Sequence, residues 1–227
     1  CTACLAERPA PWGLDILSWR TCFEHLLTGA ERVIVPSQDL LTRMQRYVPA
    51  AHYHYLPHPE SMLDSVTIPP SCDGVGELKV LVLGRLTPAK GLHLLERCAD
   101  DAKARELPLF FRVIGHADRE VRQEPELPLS FSGSYQDKRL SLLVARERPD
   151  VIFFPAQWPE TYSYTLSIAM QTGLPVVAPR LGAFIERLAD YPQAWLLDWD
   201  TPAGAWNDLF MSLRHISELT ECYPLDK

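Results

Sequence analysis

From Leu78 onward, short and almost unbroken apolar runs alternate with amphipathic stretches. The runs are "LKVLVLG" (78–84), "LFFRVIG" (109–115), "LSFSG" (129–133), "DVIFFP" (150–155), "LPVVAP" (174–179) and "WLLD" (195–198). A run that is apolar at successive positions suits a strand covered on both faces. Between them, "LHLLERCADDAKARE" (92–106), "KRLSLLVARER" (138–148) and the stretch from Ser163 to Thr172 carry helical spacing, and "AGAWNDLFMSLRHISEL" (203–219) closes the series. Strands alternating with helices pair in parallel through right-handed crossovers. The pattern predicts an α/β fold, a doubly wound parallel sheet of about six strands with helices on both faces.

Before Leu78 the texture differs. Helical spacing from Asp15 to Thr28 ends at Gly29, with Trp19, Phe23, Leu26 and Leu27 as the expected core face. "RVIVPS" (32–37) reads as a strand, and Ser37 stands where an N-cap belongs, ahead of "QDLLTRMQRYV". "HYHYLPHP" (52–59) alternates like a strand. The breaker-rich "ESMLDSVTIPPSCDGVGE" (60–77) reads as a linker. The division expected is 1–65 as the end of one domain plus linker, and 66–227 as a second domain. The first segment is expected to help cover the second rather than stand alone.

Ligands of an open α/β sheet bind beyond the carboxyl ends of its strands. Three such ends carry suggestive residues. In "GRLTPAKG" (84–91), Gly84 ends the strand, and Thr87 and Pro88 read as N-cap and first helical position. Arg85 and Lys90 then place two cations at a helix N-terminus, where the partial charge is already positive. A bound anion relieves that conflict; a solvated surface lysine is the alternative. In "VIGHAD" (113–118) and "SGSY" (132–135), Gly115 and Gly133 leave room for a flat base, while His116 reads as a loop residue. In "PETYSYTLSIAMQTGLPVVAP" (159–179), Glu160 precedes a helix start at which Thr161, Ser163 and backbone amides suit a phosphate. Leu166, Ala169 and Met170 share a core face, and Ile168 is expected on a different face, toward the cleft. Gly173 suits the position after that helix, with Pro175 beyond it.

"VLVLGRLTPAKGLHLL", "FRVIGHAD", "FSGSY" and "DVIFFPAQWPETYSYTLSIAMQTGLPVVAPRLGAFIERL" together, in order and spacing, resemble the C-terminal domain of the GT-B retaining glycosyltransferases of group 1, the GT4-like family. The resemblance is close over residues 77–190. Residues 15–60 resemble the last part of that fold's N-terminal domain. The family implies a Rossmann-like domain that binds a nucleoside-diphosphate sugar and transfers the sugar, a hexosyl-type group, to an acceptor hydroxyl with retention. It implies that Arg85 and Lys90 hold the donor diphosphate and that Glu160 lies near the sugar. Gly84, Gly115, His116, Ser134 and Tyr135 would line the donor on one side. Thr161, Tyr162, Ser163, Tyr164 and Thr165 would line it on the other. The family's second glutamate, which grips the ribose hydroxyls, falls on Ile168, which cannot accept a hydrogen bond.

That departure sustains a second reading, a degenerate GT-B domain kept as a binding or scaffolding module. An epimerase on the same fold is a third. The acceptor, a glycan or lipid-linked group in polysaccharide biosynthesis, would be met by an N-terminal domain, so this stretch alone is expected to be inactive. No cofactor beyond the donor is implied. The resemblance places the reaction in the cytoplasm or at the inner face of a membrane.

Bulk properties narrow the partners. A formal charge of -7 disfavours nucleic acid. No apolar stretch is long enough to span a bilayer. The sequence opens at Cys1 without a basic-then-apolar leader and reads as a piece of a longer protein. Six scattered cysteines suit reduced thiols. Cys1, Cys4, Cys22 and His25 have the spacing of a zinc set; the alternative places Cys22 and His25 on an ordinary helix, and no metal site is assigned.

Overall fold

The computed structural model describes residues 2–7, 9–59, 76–121 and 126–221. Most of the expected linker, and Cys1 of the proposed zinc set, lie outside the described residues. The chain divides into two compact units, Cys1–Pro59 and Glu60–Lys227.

The first unit contains helices α1 (Thr2–Glu7) and α2 (Ile16–Gly29), strand β1 (Val33–Val35), helix α3 (Gln38–Tyr47) and strand β2 (Tyr53–Tyr55). The Asp15 carboxylate accepts from Ser18 N at 2.7 Å and starts α2. Ser37 Oγ accepts from Leu40 N at 3.2 Å and starts α3, as its position predicts. β1 and β2 pair in parallel, Ile34 opposite His54. The segment forms a compact unit of its own. One expectation fails here. The apolar stripe of α2 is not core: the helix has no buried residue, and Phe23 and Leu26 are exposed. Its spacing is helical, and Trp19 and Leu27 on it are only partly covered.

The second unit is a six-stranded parallel sheet in the order β5-β4-β3-β6-β7-β8. Its elements are β3 (Leu78–Leu83), α4 (Leu92–Ala104), β4 (Leu109–Ile114), β5 (Leu129–Phe131) and α5 (Leu140–Glu147). Then come β6 (Val151–Phe153), α6 (Tyr164–Gln171), β7 (Val176–Pro179), α7 (Ala183–Arg187), β8 (Ala194–Leu197) and α8 (Ala203–Glu221). Every strand predicted from sequence is present and parallel; Val80 stands opposite Phe111 on β4 and opposite Val151 on β6.

Strand alternation sends successive side chains to opposite faces. Val80 and Val82, Phe111 and Val113, and Phe153 pack against α4 and α8 through Leu95, Trp206 and Phe210. Leu81, Leu83, Ile152 and Val176 pack against α5, α6 and α7 through Val144, Leu166 and Phe184. This is why the runs are apolar at nearly every position. Chain order steps outward from β3 to β5, then returns to β6 on the other side of β3. That reversal opens a crevice at the carboxyl ends of β3 and β6.

Candidate donor site

The loops after β3 and β6 meet across this crevice. Lys90 Nζ lies 3.6 Å from Glu160 Oε1. The surrounding cleft is lined by Leu86, Phe154, Pro155, Ala156, Ser163, Thr165 and Phe184, among others. Gly91 fixes the approach of the two loops. It takes a left-handed φ of 84°, and a Cβ there would overlap the Pro155 carbonyl. Gln157 N donates to Ala89 O at 2.8 Å and ties the same loops again. Thr87 does not cap α4. Its Oγ1 accepts from Lys90 N at 3.2 Å, closing a turn over 88–91, and α4 starts after Gly91. The extra turn carries Lys90 back over the crevice.

Arg85 is not brought to this pair. It is exposed, beyond the cleft lining, and makes no hydrogen bond or ion pair among the described residues. The neighbouring Leu86 is buried and bridges to Ala117, so the strand-like alternation turns Arg85 outward. Lys90 is the cation the structure pairs with Glu160.

Gly84 N donates to Ile114 O at 2.9 Å. On its open side, the nearest atoms to where a Cβ would stand are Thr165 Cγ2 at 3.9 Å and the Tyr135 hydroxyl at 4.0 Å. Gly84, Tyr135 and Thr165 thus converge from two loops and the first turn of α6. Burial pushes the Tyr135 phenol above its ordinary pKa, so it is a neutral hydroxyl at neutral pH. Gly115 O accepts from Gly133 N at 3.0 Å, and His116 Nδ1 lies 3.4 Å from Ser134 Oγ. These residues form a second rim at the ends of β4 and β5.

Ser163 precedes α6 with φ 68°, a left-handed backbone in a residue with a Cβ. Such a conformation costs about 1–3 kcal/mol and persists where surrounding structure imposes it. Its hydroxyl makes no capping bond to the helix and lies 3.4 Å from Thr165 Oγ1. A helix end without a side-chain cap presents amides and partial positive charge, the features that bind anions. Thr161 and Tyr164 are exposed. Tyr162 is not: its ring is buried, stacked under the Arg187 guanidinium at 4.0 Å, so it supports the loop from behind and does not line the cleft. Ile168 also departs from expectation. It is partly buried, packed against the core cluster that includes Leu166 and Ala169. Met170, expected in the core, is half-buried, while Gly173 takes φ 74° just past the helix, as its position predicts.

Two features went unseen in the sequence. Gly182 passes so close to the Glu160 loop that a Cβ would stand 2.6 Å from Glu160 N and O. Ala183 N donates to Glu160 O at 2.9 Å. Arg187, at the end of α7, donates to Tyr162 O at 2.9 Å, Ser163 O at 2.8 Å and Ser167 Oγ at 2.8 Å. "RLGAFIER" (180–187) is too short to show helical periodicity, and its glycine was the one signal of a close approach. Among the described residues no group of three or more His, Cys, Asp or Glu is placed to hold a metal ion, and Cys22 is an exposed thiol. No helix among them is long and apolar enough to cross a membrane.

The fold is shared with solved glycosyltransferase structures. Sucrose-phosphate synthase from Thermosynechococcus elongatus is 17% identical, with a TM-score of 0.68 over 96% of this chain and 58% of that one. Anabaena HepE in complex with UDP and glucose is 16% identical, with a TM-score of 0.62 over 92% of this chain and 63% of that one. WaaG, a glycosyltransferase involved in lipopolysaccharide biosynthesis, is 15% identical, with a TM-score of 0.63 over 99% and 69%. The chain thus spans about three-fifths of the first of these relatives, and at such identities the likeness concerns the fold. No curated protein sequence matches. The family model described as glycosyl transferases group 1 matches residues 74–220, most of the chain and the whole of the six-stranded sheet. The chain belongs to the group 1 glycosyltransferases.

Proposed function

We propose that this chain is the donor-binding half of a glycosyltransferase that uses a nucleoside-diphosphate sugar and transfers the sugar to an acceptor hydroxyl with retention. The observation that carries this reading is the Lys90–Glu160 pair at the switch point of the sheet, beside the uncapped start of α6. Lys90 is half-exposed, so the ion pair itself is worth little. Its ammonium is available to the diphosphate, on which negative charge grows as the bond from the sugar's anomeric carbon to the phosphate oxygen breaks. The amides at the start of α6 and the hydroxyls of Ser163 and Thr165 add donors. Glu160 is then left to face the sugar. Lys90 supplies one positive charge to the leaving diphosphate.

The HepE complex with UDP and glucose supports a nucleotide donor for this chain. The acceptor, a glycan or a lipid-linked group, is proposed to meet residues outside this chain, since the chain spans 58% of its synthase relative. The reaction is proposed to run in the cytoplasm, at the inner face of a membrane when the acceptor is lipid-linked.

A second reading rests on Ile168. With an apolar residue packed where a ribose partner is expected, the domain would bind its donor weakly or serve as a scaffold. Thermal shifts with UDP, GDP and ADP, against the corresponding nucleosides, separate the two. Stabilisation by a diphosphate and not by its nucleoside supports the donor site; no stabilisation by any of them supports the scaffold.

A further inference from the structure

The geometry points to Arg187 as a positioning residue for the candidate site: its guanidinium locks the Glu160–Ser163 loop in the strained conformation that presents Glu160 and the first turn of α6 to the cleft. The link to a donor rests on the function proposed above. Arg187 is absent from the cleft lining, so it acts through the loop and not on a ligand.

Three acceptors and one ring meet the same guanidinium. They are the carbonyls of Tyr162 and Ser163, the Ser167 hydroxyl, and the face of Tyr162. Two consecutive carbonyls turned toward one cation require an unusual backbone, and Ser163 supplies it with φ 68°. The Ser163 carbonyl also accepts from Leu166 N at 3.1 Å, in the first turn of α6. The planar, forked donor set of arginine serves several acceptors at once, which a lysine ammonium does not reproduce. The other end of the loop is held by the same segment of chain, through Ala183 N to Glu160 O and the close passage of Gly182. Helix α7 is therefore a buttress behind the site. Without Arg187, the Tyr162 and Ser163 carbonyls lose the guanidinium, Ser163 O keeping Leu166 N, and Ser163 is free to leave the left-handed region. Glu160 and the amides of α6 then lose their fixed relation to Lys90.

The test combines amide hydrogen exchange without nucleotide and nucleoside-diphosphate affinity by calorimetry. Arg187→Ala is expected to speed exchange across residues 163–167 by about tenfold or more while leaving the amides of β3 and β4 unchanged. Diphosphate affinity is expected to fall by about tenfold. Adding Ser163→Gly to Arg187→Ala should restore part of both, because glycine holds a positive φ without penalty. Arg187→Lys keeps the charge and should still lose protection at 163–167. If Arg187→Ala fails to fold, the Lys variant decides. Unchanged exchange at 163–167 in either soluble variant overturns the proposal, as does a loss of protection spread evenly over the sheet. Should the unmodified chain bind no diphosphate while local protection still depends on Arg187, the brace stands and the donor reading falls.

Discussion

Lys90 Nζ and Glu160 Oε1 stand 3.6 Å apart, although one follows β3 and the other follows β6. The sheet makes them neighbours because the chain reverses its strand order between these two strands. An exposed pair of this kind contributes about 0–1 kcal/mol to stability. Lys90→Met should therefore leave the urea midpoint nearly unchanged. It should weaken nucleoside-diphosphate binding about tenfold or more, since a charge-assisted hydrogen bond is worth roughly 1.5–3 kcal/mol. A large stability loss with unchanged affinity would assign Lys90 to the fold instead.

The sheet was legible because its central strands are covered on both faces, which forces apolar residues at consecutive positions such as Leu81, Val82 and Leu83. Lys90 and Glu160 were legible because strand ends are where a doubly wound sheet binds ligands. Arg187 and Gly182 were not, since their partners are backbone atoms of a distant loop and no side-chain pattern records that. The turn over 88–91 was hidden behind Thr87 and Pro88, which equally suit a helix start. Ile168 was misplaced because helical spacing fixes the angle between faces but not which neighbouring strand or loop covers them.

Gly91 tests the contact between the two loops without touching a charge. Its left-handed φ and the overlap of any Cβ with the Pro155 carbonyl both oppose a side chain. Gly91→Ala should cost about 3 kcal/mol, the sum of the backbone penalty and overpacking. Thermal unfolding reads this directly, and a change below about 0.5 kcal/mol would mean that the loops adjust freely.

Ile168→Glu probes the position where a ribose partner is expected. Ile168 is packed against the cluster that includes Leu166 and Ala169, so the substitution should cost about 1 kcal/mol, a fraction of full burial. If the site has changed at this position alone, diphosphate affinity should rise in spite of that cost. An unchanged affinity in a folded variant favours the scaffold reading.

The phenol of Tyr191 donates to Leu174 O at 2.7 Å, and burial pushes its pKa up to about 12. An unfolded tyrosine ionises near 10. Below that value both states keep the proton, and stability is independent of this group. Between about 10 and 12 the unfolded chain loses the proton first, so stability falls as pH rises. Tyr53 and Tyr135, also raised by burial, act with the same sign. Urea midpoints should decline above pH 10, less steeply in Tyr191→Phe. A flat profile in that range would show that the ring is open to solvent.

The most direct measurement is a calorimetric titration of the chain with UDP, GDP and ADP, repeated with Lys90→Ala. The account predicts saturable binding of at least one diphosphate, weaker binding of its monophosphate, and loss of about tenfold or more in the variant. Binding that is identical in both proteins, or no binding of any diphosphate by the unmodified chain, would contradict it.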